Sequence, residues 1–93
     1  MKVKTQQEIK QIFKECLELG IQKNQDYSGF IDNIGLTGLE GISVRMLDKA
    51  ARIYTLTHRS KRFVKNEKLE DTFKDIINYA SYGICLLRKK WKI

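Results

Sequence analysis

Residues 66–91 read NEKLEDTFKDIINYASYGICLLRKKW, and their spacing decides the fold. Leu69, Phe73, Ile76, Ala80, Ile84, Leu87 and Trp91 recur every three or four positions, the period of one helical face rather than the alternation of a strand. Asn66, at the start, is a residue type whose side chain accepts from the open amides of a first turn. The spacing predicts a helix over about 66–91. Its middle, IINYASYGICLL at 76–87, carries no charge on any side. A helix that is apolar all round is buried all round, and two neighbouring helices can scarcely cover it. The expectation is a homo-oligomer packed through this third helix. The competing reading makes Tyr79, Ser81 and Tyr82 a polar edge that water tolerates.

Two further helices lie upstream. Thr5-Gln6-Gln7-Glu8 has the form of a capping box, in which the threonine oxygen and the glutamate each satisfy an open amide. It predicts a helix over about 5–23, with Ile9, Ile12, Phe13, Cys16 and Leu17 on one face and Gly20 as a C-terminal cap. A second box, Thr37-Gly38-Leu39-Glu40, opens a helix over about 38–58, whose stripe is Leu39, Ile42, Met46, Ala50 and Ile53. The fold class is therefore all-α: a three-helix, or at most four-helix, bundle forming one domain over 1–93, with a long loop at 24–37.

Composition excludes several functions. The chain is 42% hydrophobic and 31% charged, with no apolar run of 18 residues and no apolar leader, so a cytoplasmic protein without a membrane partner is expected. Cys16 and Cys85 fall in helical patterns without CxxC spacing, which reads as two buried free thiols rather than a disulfide or metal site. His58 is the one histidine, so no nucleophile and base pair is built on imidazole or thiol.

The charged faces are more informative. Glu67, Asp71 and Asp75 advance by four residues each, with Asn78 between them on the wheel, and form a carboxylate stripe on the third helix. Arg45, Lys49 and Arg52 share one face of the second helix, with Asp48 at its margin. The two stripes serve either as interhelical salt bridges or as a site in which cations clamp phosphates and carboxylates meet a base edge or a hard cation. The connecting stretch KNQDYSGFIDNIGLTG, residues 23–38, adds Lys23, Asp26, Tyr27, Phe30 and Asn33 among three glycines, a composition suited to close backbone approach and base stacking. The bland alternative has the two rings fold inward as a lid, and Asp26 and Asn33 act as turn residues.

Lys23-Asn24-x-Asp26-Tyr27-x-Gly29, Asn33, Gly41-Ile42-x-Val44-Arg45-Met46-x-Asp48-Lys49-x-x-Arg52, Glu67-x-x-x-Asp71-Thr72-x-x-Asp75 and Asn78-Tyr79 together resemble the small helical family called nucleotide modification associated domain 1. That family is common in bacteriophages and prophage regions and is named from its genomic company with enzymes of nucleotide metabolism. An activity is not generally assigned to that family, and its matched positions are those the loop and the charged stripes single out. Together these read as a pocket for a small-molecule nucleotide, with Lys23, Asp26, Tyr27, Asn33, Arg45, Lys49, Arg52, Asp71 and Asp75 as candidate nucleotide-binding residues. The leading expectation is a phage-type binder that sequesters a nucleotide, for example an immune signal of host defence, without turnover and with no cofactor.

More distantly, carboxylates on facing helices look like the MazG-type pyrophosphohydrolases, and Glu15-Cys16-Leu17-Glu18 is an ExxE of their kind. Under that alternative the protein is a Mg²⁺-dependent nucleotide pyrophosphohydrolase, or an accessory of modified-nucleotide metabolism, with Glu67, Asp71 and Asp75 as metal ligands. The second cluster differs, reading ExxxDxxxD. A third class is a nucleic-acid binder, suggested by the net charge of +7 and the basic clusters 58–65 and 88–92. Those clusters lie at a loop and a terminus, with no motif to seat a helix in a groove.

Overall fold

The computed structural model describes residues 1–27, 32–58 and 65–92, with the side chains of all but 25–27 and 65. Among the described residues the regular elements are three helices: α1 (Val3–Tyr27), α2 (Asn33–His58) and α3 (Lys65–Leu87). α3 is the hub. It packs against both other helices, whereas α1 and α2 do not pack on each other. α2 runs antiparallel to α3: Leu39 and Ile42 lie against Gly83, and Lys49, later in α2, reaches Asp75, earlier in α3. α1 runs parallel to α3, because Glu15 meets Lys74 while Gly20 lies against Asn78 and Tyr82.

Few side chains are fully enclosed. Cys16, Ile34, Ile42 and Leu56 are the buried apolar ones among the described residues, and Thr72 and Asn78 the buried polar ones. Thr72 is satisfied locally, its hydroxyl donating to the Lys68 carbonyl at 2.7 Å. Burial pushes the Cys16 thiol up, against the opposing charge of Lys74, so it stays a thiol. Both cysteines are free, Cys16 buried and Cys85 half-buried. No helix among the described residues is long and apolar enough to cross a membrane.

Several boundaries differ from the sequence expectation, each for a physical reason. α1 begins at Val3, with the Gln6 amide bonded to the Lys2 carbonyl, so Thr5 lies inside the first turn instead of capping it. Gly20 is not a cap. A Cβ there would stand 2.8 Å from the Tyr82 hydroxyl, so the missing side chain is what lets α1 approach α3. The helix continues through the expected end at 23 to Tyr27.

The expected loop at 24–37 is correspondingly short, because residues 33–37 are already helical. Gly38, at φ 63° and ψ −152°, breaks α2 there, in a region that glycine adopts and a side chain disfavours. Thr37, expected to cap at that point, instead donates to the Asn33 carbonyl at 2.5 Å. α3 stops at Leu87 rather than 91. Lys89 takes a left-handed φ of 55°, the Lys90 amide bonds the Cys85 carbonyl and the Lys89 amide bonds that of Leu86, the two closing bonds of a Schellman motif. Trp91 is thereby turned off the helix axis. Phe30 and the basic stretch 59–64 lie outside the described residues.

Candidate functional site

Asp75 is where the three helices meet. Lys23 of α1 donates to its Oδ1 at 2.7 Å, and Lys49 of α2 approaches Oδ2 at 3.2 Å. The carboxylate is only 15% exposed. A node of two ammonium groups on one carboxylate keeps a net positive charge, and charge-assisted bonds in such partly shielded surroundings hold their geometry well. Local reasons explain each position. Lys23 sits one turn past Gly20, where α1 is closest to α3, and lysine stems point back toward the helix N-terminus, which brings the ammonium down to Asp75. Lys49 lies beside Ile42 and Leu56 on the wheel, the face α2 turns to α3.

An aromatic chain adjoins the node. Tyr82 meets Tyr79 edge-on with centroids 6.1 Å apart, and Trp91 at 4.9 Å with the planes tilted by 58°. Burial pushes the Tyr82 phenol up, and a hydrogen bond with Asn24 and the charge of Lys23 partly oppose that. Trp91 Nε1 donates to both oxygens of Asp32, at 2.9 Å and 3.1 Å. Asp32 in turn accepts from the Gly35 amide at 2.9 Å, which makes it the N-cap of α2. The indole and the start of α2 are therefore locked together beside the C-terminal end of α1.

α2 supplies a basic wall. Arg45 is half-buried and donates through a guanidinium nitrogen to Thr37 Oγ1 at 3.2 Å, which ties it to the segment ahead of Gly38. Arg52 shares that face and is exposed. α1 carries Phe13, Leu17 and Ile21 at 57%, 63% and 51% exposure, an apolar stripe at four-residue spacing. Around Asp75 the structure thus gathers two lysines, the Tyr79–Tyr82–Trp91 rings and, further along α2, two arginines.

Of the sequence candidates, Lys23, Lys49 and Asp75 are brought into direct contact. Arg45 and Arg52 line the same wall, and Asn33 is exposed at the start of α2. Asp26 and Tyr27 belong to the last turn of α1, and their side chains lie outside the described residues. Glu67 and Asp71 are exposed on earlier turns of α3 and do not join Asp75 at the node. Among the described residues no three His, Cys, Asp or Glu side chains are grouped so as to hold a metal ion. Glu15, from the ExxE, is bonded to Lys74 at 3.2 Å. Sequence reasoning missed Asn24, Asp32 and the site role of Tyr82 and Trp91. Only Asp32 left a local trace, an aspartate standing before the segment that proves helical.

The class defined so far is a small all-α domain whose three helices meet at one carboxylate held by two lysines beside a group of aromatic rings. The family model for nucleotide modification associated domain 1 matches residues 23–87, and the chain belongs to that family. Its match opens on Lys23 and closes on Leu87, spanning the node and the whole of α2 and α3. No curated protein and no solved structure matches the chain.

Proposed function

We propose that this protein binds a nucleotide at the Lys23–Asp75–Lys49 node and sequesters it rather than turning it over. The carrying observation is the Lys23–Asp75–Lys49 node. Asp75 holds two ammonium groups, drawn from different helices, at one point, and the surplus positive charge suits an arriving phosphate. Arg45 and Arg52 extend that wall for further phosphate oxygens, and the Tyr82–Trp91 pair offers a face on which a base stacks. Asn33, exposed at the first turn of α2, and the sequence candidates Asp26 and Tyr27 are proposed as the residues that meet the base edge. Membership of a family named for nucleotide modification supports the ligand class.

Binding is favoured over hydrolysis because the arrangement around Asp75 is that of an anion receptor. Both its oxygens face ammonium groups, while Glu67 and Asp71 stand apart from it, so a ligand set for Mg²⁺ is not assembled from the three. A sequestering protein needs affinity and abundance only, which fits the phage setting the family implies and the capture of a nucleotide signal. Two assays decide. Heating purified protein should release a nucleotide identifiable by mass spectrometry, and incubation with nucleoside triphosphates and Mg²⁺ should give no multiple turnover. Sustained hydrolysis would replace the binder with a phosphohydrolase. Failure to retain or bind any of the common mononucleotides, cyclic nucleotides or cyclic dinucleotides would remove the proposal.

A further inference from the structure

The side of α3 turned away from Asp75 has its own pattern. Phe73, Ile77, Ala80, Ile84 and Leu87 follow one another at intervals of four, three, four and three, the spacing of a seam that packs against another helix. Phe73 and Ile77 line a groove with Ile12 of α1, and Ile77 and Ala80 are half-buried, yet the seam is left partly open: Phe73 is 51%, Ile84 48% and Leu87 69% exposed. The molecule exposes 7627 Å² in all, against about 5,600 Å² for a compact monomer of this mass. That excess is larger than the roughly 800 Å² per partner that a standard interface covers. Its radius of gyration, 14.8 Å, also exceeds the approximately 12 Å expected for this length.

The charges at the two ends of the seam say what covers it. Phe73 and Leu87 stand symmetrically about Ala80, a residue small enough for two helices to cross closely. Beyond them, Glu70 and Arg88 lie on the same side of the helix at 100° per residue, one acidic and one basic. Glu70 is 71% exposed and borders a groove of about 370 Å³ between α1 and α3. Glu8, Glu15 and Glu70 outnumber the lone lysine, Lys74, in its lining, so the groove is acidic.

We infer that two copies of this chain pair through α3 in antiparallel register about Ala80, which sets each Arg88 two residues, about 3 Å along the axis, from the partner's Glu70 and within reach of it at the mouth of the acidic groove. A parallel copy would set Glu70 on Glu70 and Arg88 on Arg88, so charge selects the antiparallel arrangement. The twofold contact is self-complementary, as a closed dimer requires. Asp75 lies on the opposite side of α3, which leaves both nodes outside the contact between the two copies.

Sedimentation equilibrium of the full chain at micromolar concentration tests this. The native protein should be a dimer, and Ile84→Glu, on an exposed helical position, should be a monomer with unchanged helical circular dichroism. Glu70→Lys and Arg88→Glu should each weaken the dimer about tenfold, because each turns two attractive pairs into repulsive ones. Combined in one chain, the two changes should restore dissociation to near the native value. A monomeric native protein, a dimer indifferent to Ile84→Glu, or a double variant no tighter than the single ones would each overturn the arrangement.

Discussion

The two faces of α3 solve different problems with the same helical repeat. On the inner face, Asp75, Asn78, Tyr79 and Tyr82 are polar or aromatic, and each neighbouring helix sends a lysine to one carboxylate. On the outer face, Phe73, Ile77, Ala80, Ile84 and Leu87 are apolar or small, and Phe73, Ile84 and Leu87 remain about half or more exposed. Polar groups in shielded positions need specific partners, which makes the inner face geometrically demanding. Apolar side chains need only be covered. Under the two proposals, recognition falls to one face of α3 and assembly to the other.

The sharpest way to break the inner face is Asp75→Ala. Two ammonium groups, 43% and 27% exposed, then lose their common acceptor, and after solvent screening of the lysines unfolding in urea should show a loss of about 1–2 kcal/mol. An unchanged midpoint would mean that the lysines are as well served by water as by Asp75. Gly20→Ala should cost less, about 1 kcal/mol. The methyl would collide with the Tyr82 hydroxyl, and that overpacking of roughly 1–3 kcal/mol is offset by alanine's helix propensity of about 1 kcal/mol. The same variant should alter the near-ultraviolet circular dichroism of Tyr82 and Trp91, whereas a change at the outer seam should not.

How much of this was legible in the sequence depended on how far apart the interacting residues lie. Apolar periodicity located all three helices, because it is repeated every turn. The charged stripes located Lys49 and Asp75 for the same reason, yet spacing left open whether they pair with each other. They do, and Arg45 turns instead to Thr37. Gly20 read as a cap because a glycine's role is set by what approaches it, and Tyr82 comes from another helix. The Trp91–Asp32 bond joins residues 59 positions apart and leaves no periodic mark at either end. Trp91 kept the helical rhythm, so nothing local announced the left-handed Lys89 that ends the helix.

Alkaline titration offers a subtler probe. Burial raises the Tyr82 phenol above its usual 10.0, and hydrogen bonds to Glu15 and Glu70 raise the Lys74 ammonium above its usual 10.5. In both cases the folded state holds the proton more tightly than the unfolded state does. Their contribution is complete below about pH 10 and is lost as pH rises through the raised folded values. Thermal melts should therefore fall above pH 10, and Tyr82→Phe should flatten part of that decline. A Tyr82→Phe slope identical to the native one would place the phenol in water. The smallest effect is expected from Lys89→Gly, which relieves a left-handed side chain at the end of α3 and should stabilise by about 0.5–1 kcal/mol without touching either face.

Nucleotide recognition by the basic wall is the central claim, and Arg52 isolates it best, because it is exposed and joins none of the ion pairs seen among the described residues. Calorimetric titration of native, Arg45→Ala and Arg52→Ala proteins with the nucleotide recovered by heat release is the direct test. Each arginine should contribute roughly 1.5–3 kcal/mol of affinity, about a 10- to 150-fold change in Kd, with the melting temperature of Arg52→Ala unaltered. Unchanged affinity in both variants, with any loss confined to the melting temperature, would contradict the account and leave the basic stripe a structural feature of α2.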